Sequence, residues 1–289
     1  MKPETIAADD GTQLALRVYE PDSPDRGSVV IGGAMGVRQD YYAPFAQWLA
    51  GQGWRVTTFD YRGSGESAPR GKSLRGFKAD LFDWACDYGL VIDRAHAALP
   101  DRPLYLLGHS LGAQLPGLLR NQDKVSGMLS VAAGSGYWRD NAPRLKRVVL
   151  YFWYVLVPLA TGLCGYFPGR RLGTVGDLPA GVIMQWRRWC LNPRYSVGAE
   201  GEGVRQRYAS VRFPVHALSI VDDEMMTLRG TQTLLDLYEN SPSQVGRIGP
   251  LELGVPRLGH FGPFRSEHEA DLWPRMDQWL GALAPSTVA

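Results

Sequence analysis

Ser110 lies at the centre of the pentapeptide Gly-His-Ser-Leu-Gly, between Gly108 and Gly112. A serine hydroxyl can attack a carbonyl carbon when a neighbouring base removes its proton. The pattern Gly-x-Ser-x-Gly is typical of a sharp turn from a strand into a helix, where the flanking glycines make room for an exposed serine. Since the apolar segment PLYLL precedes this turn, the sequence predicts a nucleophilic Ser110. A tight turn without chemistry is the alternative.

Two later segments supply an acid and a base. Asp222 and Asp223 follow an apolar run in SIVDDEM, and His260 lies in RLGHFGPF, near the end of what we expect to be the final strand. A histidine can take the serine proton, and a carboxylate can hold the imidazole in the tautomer that this transfer requires. The residues alone leave either aspartate open as the acid.

A third segment is suited to stabilising the negative charge that develops on a carbonyl oxygen under attack. VVIGGAMG ends an early strand with small residues, and the backbone N–H of Ala34 is its best candidate donor. The N–H of Leu111, directly after the serine, is the second candidate for this oxyanion hole. A glycine-lined turn without function is the alternative for the first segment.

The elements that position these residues follow from the alternation of short apolar runs with amphipathic helical segments. This alternation predicts an α/β fold with a mostly parallel sheet between two layers of helices, and TQLALRVYE after DDG predicts an opening hairpin. In the last helix, Leu272, Met276 and Leu280 fall on one face that should pack inward. The predicted strands are 28–33, 55–60, 103–108, 127–133 and 214–221, and the predicted helices include 80–98 and 267–283.

The alternation fails once, between about residues 134 and 213. This region holds four of the nine tryptophans, and prolines and glycines interrupt its apolar runs. We expect residues 135–212 to be an apolar-rich helical insertion between two strands of one sheet. Residues 1–134 and 213–289 would then form the core.

With these motifs in this order, the chain resembles the α/β-hydrolase superfamily. Within it, the chain is similar to the serine-aminopeptidase and monoacylglycerol-lipase-like branch, and there to a group of bacterial hydrolases. The resemblance implies an eight-stranded, mostly parallel sheet and a helical cap inserted before the strand that bears the acid. In related chains the acid stands four residues before the position that opens the next helix, here Thr227. The resemblance therefore favours Asp223 over Asp222.

A serine at this turn indicates ester, thioester or amide chemistry through an acyl-enzyme. An aromatic cap would form an apolar ceiling suited to an acyl chain, although the same side chains could instead form the core of the cap. We expect a serine esterase or lipase; an acyltransferase, an aminopeptidase-like amide hydrolase and a non-catalytic ligand-binding scaffold are the alternatives. The predicted pocket residues are Met35, His109, Trp138, Phe152, Trp153 and Phe261.

Composition and spacing argue against several other partners. The 31 basic and 29 acidic residues nearly cancel, and no basic arm is present, so nucleic acid is not expected. Neither the histidines nor the three cysteines have metal-ligand spacing, and no glycine-rich loop has phosphate-binding spacing, so we expect no metal and no cofactor. The N-terminus lacks the basic start and apolar run of a secretory signal, which predicts a cytoplasmic protein.

Residues 148–169 form 22 consecutive positions without a charged side chain or histidine. That length could span a bilayer, but one crossing would separate Ser110 from Asp223. We therefore expect the segment to form a lid, with peripheral contact between the cap and an anionic membrane surface as a further possibility. The basic residues that suggest this contact are Arg144, Lys146, Arg147, Arg170 and Arg171.

Overall fold

The central element is an eight-stranded sheet with the order β1-β2-β4-β3-β5-β6-β9-β10. The computed structural model describes residues 1–23, 26–69 and 71–283. Two antiparallel pairings, β1 with β2 and β2 with β4, form one side of the sheet, and all remaining pairings are parallel. The predicted fold class and opening hairpin are thus confirmed. The strands are β1 Lys2–Ala7, β2 Gln13–Tyr19, β3 Gly27–Gly32, β4 Trp54–Phe59, β5 Leu104–His109, β6 Gly127–Val131, β9 Val215–Ile220 and β10 Ser243–Ile248; β7 Tyr166–Pro168 and β8 Asp177–Pro179 form a separate two-stranded sheet.

Helices cover both faces of the large sheet, and strands β3 to β6 and β9 are buried along their whole length. This explains the short apolar runs in β3, β5 and β6, since a strand covered on both sides needs no polar face. Two hydrophobic clusters result, one with α1 and α10 and the other with α2 and α8. The helices are α1 Ala43–Gly51, α2 Leu81–Ala98, α3 Pro143–Tyr151, α4 Val157–Cys164, α5 Ala180–Leu191, α6 Tyr195–Glu200, α7 Glu202–Ala209, α8 Leu228–Leu235, α9 Pro250–Leu253 and α10 Trp273–Ala282.

The chain after Ser110 differs from the predicted helix. It forms two short 3-10 turns, Ser110–Ala113 and Leu115–Leu118. Pro116 explains the interruption, because proline has no N–H to donate and its ring crowds the preceding turn of a helix. The sharp strand-to-turn geometry at Ser110 needs only the first of these turns.

The C-terminal part differs from the prediction in two places. Strand β10 was not predicted, because its sequence SQVGRI is polar and lies largely exposed at the edge of the sheet. His260 therefore does not end the final strand but lies in the loop after α9, where Gly259 has a φ of +66°. The last helix begins at Trp273 rather than at residue 267, and Leu272, Met276 and Leu280 are buried as predicted.

The segment between β6 and β9 contains α3 to α7 and the two-stranded sheet, and it packs beside the turns that follow β3 and β5. A Cβ on Gly36 would lie 2.5 Å from the backbone nitrogen of Gly176. Tyr195 Oη donates at 2.6 Å to Oε1 of Gln114, which lies four residues after Ser110. The segment therefore contacts both turns from which the candidate oxyanion donors come. Of the core predicted as 213–289, residues 284–289 lie outside the described part.

A single long helix, Pro143–Cys164, joins α3 and α4 through a π-helical turn at Phe152–Leu156. The turn precedes Pro158, whose missing N–H interrupts regular α-helical bonding. The helix is long and apolar enough to cross a membrane, with a mean hydropathy of 1.6 over its most apolar 18 residues. Only 22% of those residues are buried, so most of this apolar stretch lies at the surface. Its buried stripe consists of Val149, Trp153, Val157 and Thr161, and its most exposed apolar side chains are Val148, Tyr151, Tyr154, Leu159 and Leu163.

Hydrogen bonds hold both ends of this helix to the same globular body. At its start, the Ala142 N–H donates to the Met225 carbonyl, 3.0 Å away, just after β9. At its end, the Arg75 guanidinium donates to the carbonyls of Leu163 and Cys164 at 3.0 and 3.1 Å. A helix fixed to one body at both ends cannot have its ends on opposite sides of a bilayer.

Candidate active site

Ser110 occupies a strained turn at the carboxyl end of β5. Its φ is +53°, a left-handed value that side-chain-bearing residues rarely adopt. The turn is tightly packed: a Cβ on Gly108 would lie 2.6 Å from the Ala113 Cα, and one on Gly112 would lie 2.0 Å from the Gly32 carbonyl oxygen. Only glycine fits at the two flanking positions, so the pentapeptide pattern has a steric cause.

His260 and Asp223 form a buried pair at the same edge of the sheet. His260 Nδ1 lies 2.8 Å from Asp223 Oδ2, and both side chains are almost fully buried. The other carboxylate oxygen of Asp223 accepts the N–H groups of Met225 and Met226 at 2.7 and 2.8 Å. The aspartate is thus held by its own loop while it contacts the imidazole.

Asp222, the alternative acid, has a different set of partners. Its carboxylate accepts the N–H groups of Leu258 and Gly259 at 2.9 and 3.1 Å. It therefore fixes the backbone that leads to His260 and does not contact the imidazole. The structure brings Asp223, and not Asp222, to the histidine.

Glu224 completes this arrangement and was not singled out in the sequence. Its carboxylate accepts the His260 N–H at 3.0 Å and pairs with Arg257 at 3.3 Å. The pKa of Glu224 lies below its usual value. Partial burial acts to raise this pKa, but the hydrogen bond from the His260 N–H and the charge of Arg257 together outweigh burial. Three consecutive carboxylates, residues 222–224, thus hold residues 258–260. The run of three acids soon after strand β9 was the sequence signal that could have pointed to Glu224.

The oxyanion-donor prediction needs a correction at one position. The Ala34 N–H donates to Tyr42 Oη at 2.8 Å, so it is not free to bind an oxyanion. The next N–H in the same turn, that of Met35, has no acceptor within the described residues. Leu111 is the second residue of the 3-10 turn, a position whose N–H has no partner inside the helix. Met35 and Leu111 are therefore the available pair.

His109 also differs from its prediction as a pocket residue. It is fully buried, and its two ring nitrogens contact Tyr42 Oη at 2.8 Å and the His260 carbonyl oxygen at 3.1 Å. Neither nitrogen is available to a substrate. The His109 and His260 rings lie 5.1 Å apart, which places Ser110, the next residue along the chain, beside the histidine loop. Across the described ranges, no hydrogen bond joins Ser110 Oγ to His260 Nε2; such contacts often form only when substrate binds.

The structure distributes the remaining predicted pocket residues over two environments. Phe261 packs edge-on against His260 with ring centroids 5.0 Å apart, and both line a cavity of about 270 Å³. Met35 and Trp153 belong to a single hydrophobic cluster, against which Trp138 and Phe152 pack. Trp153 also contacts Trp186 within the insertion, so this part of the predicted ceiling is built into the insertion's own core.

The arrangement as a whole places a serine in a strained turn, a buried histidine–carboxylate pair and two N–H groups without a partner among the described residues at one edge of a sheet. This is the set of groups that nucleophilic acyl transfer requires. Over the ranges that the structure describes, no group of three histidine, cysteine or acidic side chains is arranged to hold a metal ion.

Comparison with known proteins gives a consistent result. A family model described as serine aminopeptidase, S33, matches residues 23–169, just over half of the 289 residues. A monoacylglycerol lipase of Mycolicibacterium smegmatis is 24% identical over 78% of this chain and 80% of the relative.

Two solved structures show the same fold at low sequence identity. A soluble variant of the monoglyceride lipase of Saccharomyces cerevisiae, bound to a substrate analog, aligns with a TM-score of 0.68 and 14% identity over 99% of this chain and 96% of its own. A carboxyl esterase of Bacillus coagulans aligns with a TM-score of 0.66 and 13% identity over 98% of each chain.

Proposed function

The chain belongs to the serine aminopeptidase S33 family of α/β-hydrolases, and on this basis we propose that it is a serine hydrolase that cleaves carboxylic esters with a hydrophobic acyl part. The observation that carries the proposal is the buried His260–Asp223 pair, 2.8 Å apart, beside the strained turn at Ser110. The monoacylglycerol lipase and carboxyl esterase among the similar proteins support ester chemistry over the alternatives.

The mechanism follows from the role of each group. Asp223 accepts a hydrogen bond from the protonated Nδ1 of His260. The unprotonated Nε2 can then take the proton of Ser110 as Oγ bonds to the ester carbonyl carbon. The N–H groups of Met35 and Leu111 stabilise the oxyanion that forms. When the carbon–oxygen bond to the leaving alcohol breaks, His260 returns the proton to that alcohol, and an acyl-enzyme remains.

Water then repeats the sequence in the second half of the reaction. His260 removes a proton from water as the water oxygen bonds to the acyl carbon. The bond to Ser110 Oγ breaks, and the proton returns to the serine as the acid product leaves. An oxyanion-hole donor contributes roughly 3 to 4 kcal/mol to such a reaction.

We further propose that residues 135–212 form a lid over this site and select the acyl group. The segment contacts the turns of Gly36 and Gln114, which flank the proposed reaction centre. Its buried side is continuous with the cluster that contains Met35 and Leu111. Apolar walls of this kind favour an acyl chain over a sugar or a charged peptide.

Labelling and a substrate series test this function. The wild-type protein should be labelled covalently by a fluorophosphonate probe and should hydrolyse p-nitrophenyl esters, with kcat/KM increasing from acetate to medium-chain acyl groups by about tenfold or more. Faster turnover of aminoacyl amides would favour the amide hydrolase. Failure of the folded protein to be labelled would leave the non-catalytic scaffold as the remaining interpretation.

The outer face of the helix Pro143–Cys164 is the subject of a second proposal, which concerns membrane binding. We propose that the face binds an anionic membrane surface without crossing it. No acidic residue lies between Asp140 and Asp177, whereas five basic residues flank the apolar stretch. If a second copy of the chain bound this face, the basic residues of the two copies would repel each other. An anionic lipid surface, such as the cytoplasmic leaflet, would instead attract these basic residues.

Vesicle binding tests the membrane contact. Wild-type protein should sediment with phosphatidylcholine vesicles that contain phosphatidylglycerol, and changing both Leu159 and Leu163 to Asp should weaken binding about tenfold or more. Leu251→Asp is the matched control, because Leu251 is 95% exposed outside this helix, and it should bind normally. Self-association without vesicle binding, or unchanged binding by the double variant, would contradict the proposal.

A further inference from the structure

A chain of three buried hydrogen bonds joins the three loops of the proposed active site. The Ala34 N–H donates to Tyr42 Oη at 2.8 Å, Tyr42 Oη contacts His109 Nδ1 at 2.8 Å, and His109 Nε2 contacts the His260 carbonyl at 3.1 Å. Ala34 belongs to the oxyanion turn, His109 precedes the serine, and His260 lies in the histidine loop. All three bonds pass through Tyr42 or His109.

The direction of each bond in this chain is determined by its ends. The His260 carbonyl can only accept, so His109 Nε2 must carry the proton that it donates. His109 Nδ1 is then an acceptor, and the Tyr42 hydroxyl must donate to it. The same hydroxyl accepts the Ala34 N–H, which leaves no conflict of donors or acceptors along the chain.

The surroundings keep this arrangement in one state. Tyr42 and His109 are almost fully buried, and Phe264 packs against both rings, with centroids 5.0 and 4.9 Å away. Burial, with the nearby His260 as the lesser cause, holds the pKa of His109 well below its usual value, so its ring is neutral. Burial likewise raises the pKa of Tyr42, which keeps its hydroxyl protonated.

We propose that Tyr42 and His109 are positioning residues, which hold the oxyanion turn and the histidine loop at a fixed distance from Ser110. Tyr42 takes up the Ala34 N–H and thereby leaves the Met35 N–H as the donor of its turn. His109 fixes the backbone of His260 directly, because it binds the carbonyl of that residue. The inference rests on the proposed hydrolase function and assigns to these two residues a share in its rate.

Tyr41, which precedes Tyr42 in the 3-10 turn Gln39–Tyr42, supports this assignment. Tyr41 Oη donates to the carbonyl of Phe261, the residue after His260. Two successive carbonyls of the histidine loop are therefore bound, one by Tyr41 from the 3-10 turn that follows the oxyanion turn and one by His109 from the strand that precedes the serine. The two bonds hold the backbone of His260 in place, while Asp223 holds its imidazole.

The test removes the two hydrogen bonds of one residue at a time while an aromatic ring stays at that position. Tyr42→Phe should lower kcat for a p-nitrophenyl ester on the order of tenfold to a hundredfold with KM nearly unchanged, because a buried donor and acceptor both lose their partner. His109→Phe should lower kcat similarly. His109→Gln, whose amide can donate to the His260 carbonyl, should recover most of the loss.

The controls separate positioning from general destabilisation. Tyr19→Phe changes a buried tyrosine of the same hydrophobic cluster on β2 and should leave kcat unchanged. The active-site concentration of each variant is titrated with the fluorophosphonate, so that kcat refers to folded enzyme. Because both single variants lose the bond between Tyr42 Oη and His109 Nδ1, the loss of kcat in the Tyr42→Phe/His109→Phe double variant should be smaller than the product of the two single losses.

Three results would overturn the inference: kcat within twofold of wild type for both phenylalanine variants, no recovery by His109→Gln, or additive losses in the double variant. These results differ from a failure of the proposed function itself. In that case the wild-type protein would be neither labelled nor active, whereas here it would be both.

Discussion

Ser110→Ala is expected to lower kcat for p-nitrophenyl ester hydrolysis by a factor on the order of 10^6, which corresponds to loss of the whole triad acting as a unit. The variant removes the proposed nucleophile and leaves the turn intact, because alanine is no more strained than serine at a φ of +53°. Initial rates measured at matched concentrations of folded protein check the prediction, and fluorophosphonate labelling should be lost in parallel.

The neighbouring strand offers a matched control for this substitution. Ser130 lies on β6 directly beside Gly108 and is also buried, but it has an ordinary strand conformation. Ser130→Ala should retain activity close to that of wild type. Residual activity of Ser110→Ala within tenfold of wild type would mean that another residue is the nucleophile.

Asp223→Asn is expected to produce the second-largest loss, about 10^4-fold in kcat. The amide can present an N–H to His260 Nδ1, which favours the tautomer with its proton on Nε2 and so removes the base that Ser110 needs. Burial of both side chains strengthens the effect, because no water can replace the carboxylate at 2.8 Å. Steady-state kinetics over a range of pH give the measurement.

Asp222→Asn serves as the comparison, since it changes the adjacent carboxylate in the same way. Asp222 binds the Leu258 and Gly259 N–H groups and not the imidazole, so this variant should keep kcat within about a hundredfold of wild type, a loss typical of a weakened support. A larger loss for Asp222→Asn than for Asp223→Asn would reverse the assignment of the acid.

Local sequence patterns were sufficient for the parts of this protein that have a steric or periodic cause. The glycines around Ser110 are required because a Cβ at either position would lie only 2.0 or 2.6 Å from backbone atoms, and several of the buried strands follow from short apolar runs. Strand β10 escaped prediction because an exposed edge strand has no such run. The histidine loop could not be placed because Gly259 and its carboxylate partners, and not a strand, determine its course.

The contacts that correct the site predictions have no local pattern at all. Tyr42 lies 67 residues from His109 in the sequence, and His109 lies 151 residues from His260. Nothing in GGAMG shows that the Ala34 N–H is already bound, and nothing in GHSLG shows that the histidine faces inward. Such assignments depend on which side chains the folded sheet brings together across its edge.

The three consecutive carboxylates at residues 222–224 have a consequence for how the chain can vary in length. Each binds a different point of the segment 258–260: two backbone N–H groups, then the imidazole, then the His260 N–H. A shift of one residue within that segment would misalign all of these partners at once. Insertions and deletions are therefore compatible with the stretch around α9, between residues 249 and 256, and incompatible with the three positions that follow Arg257.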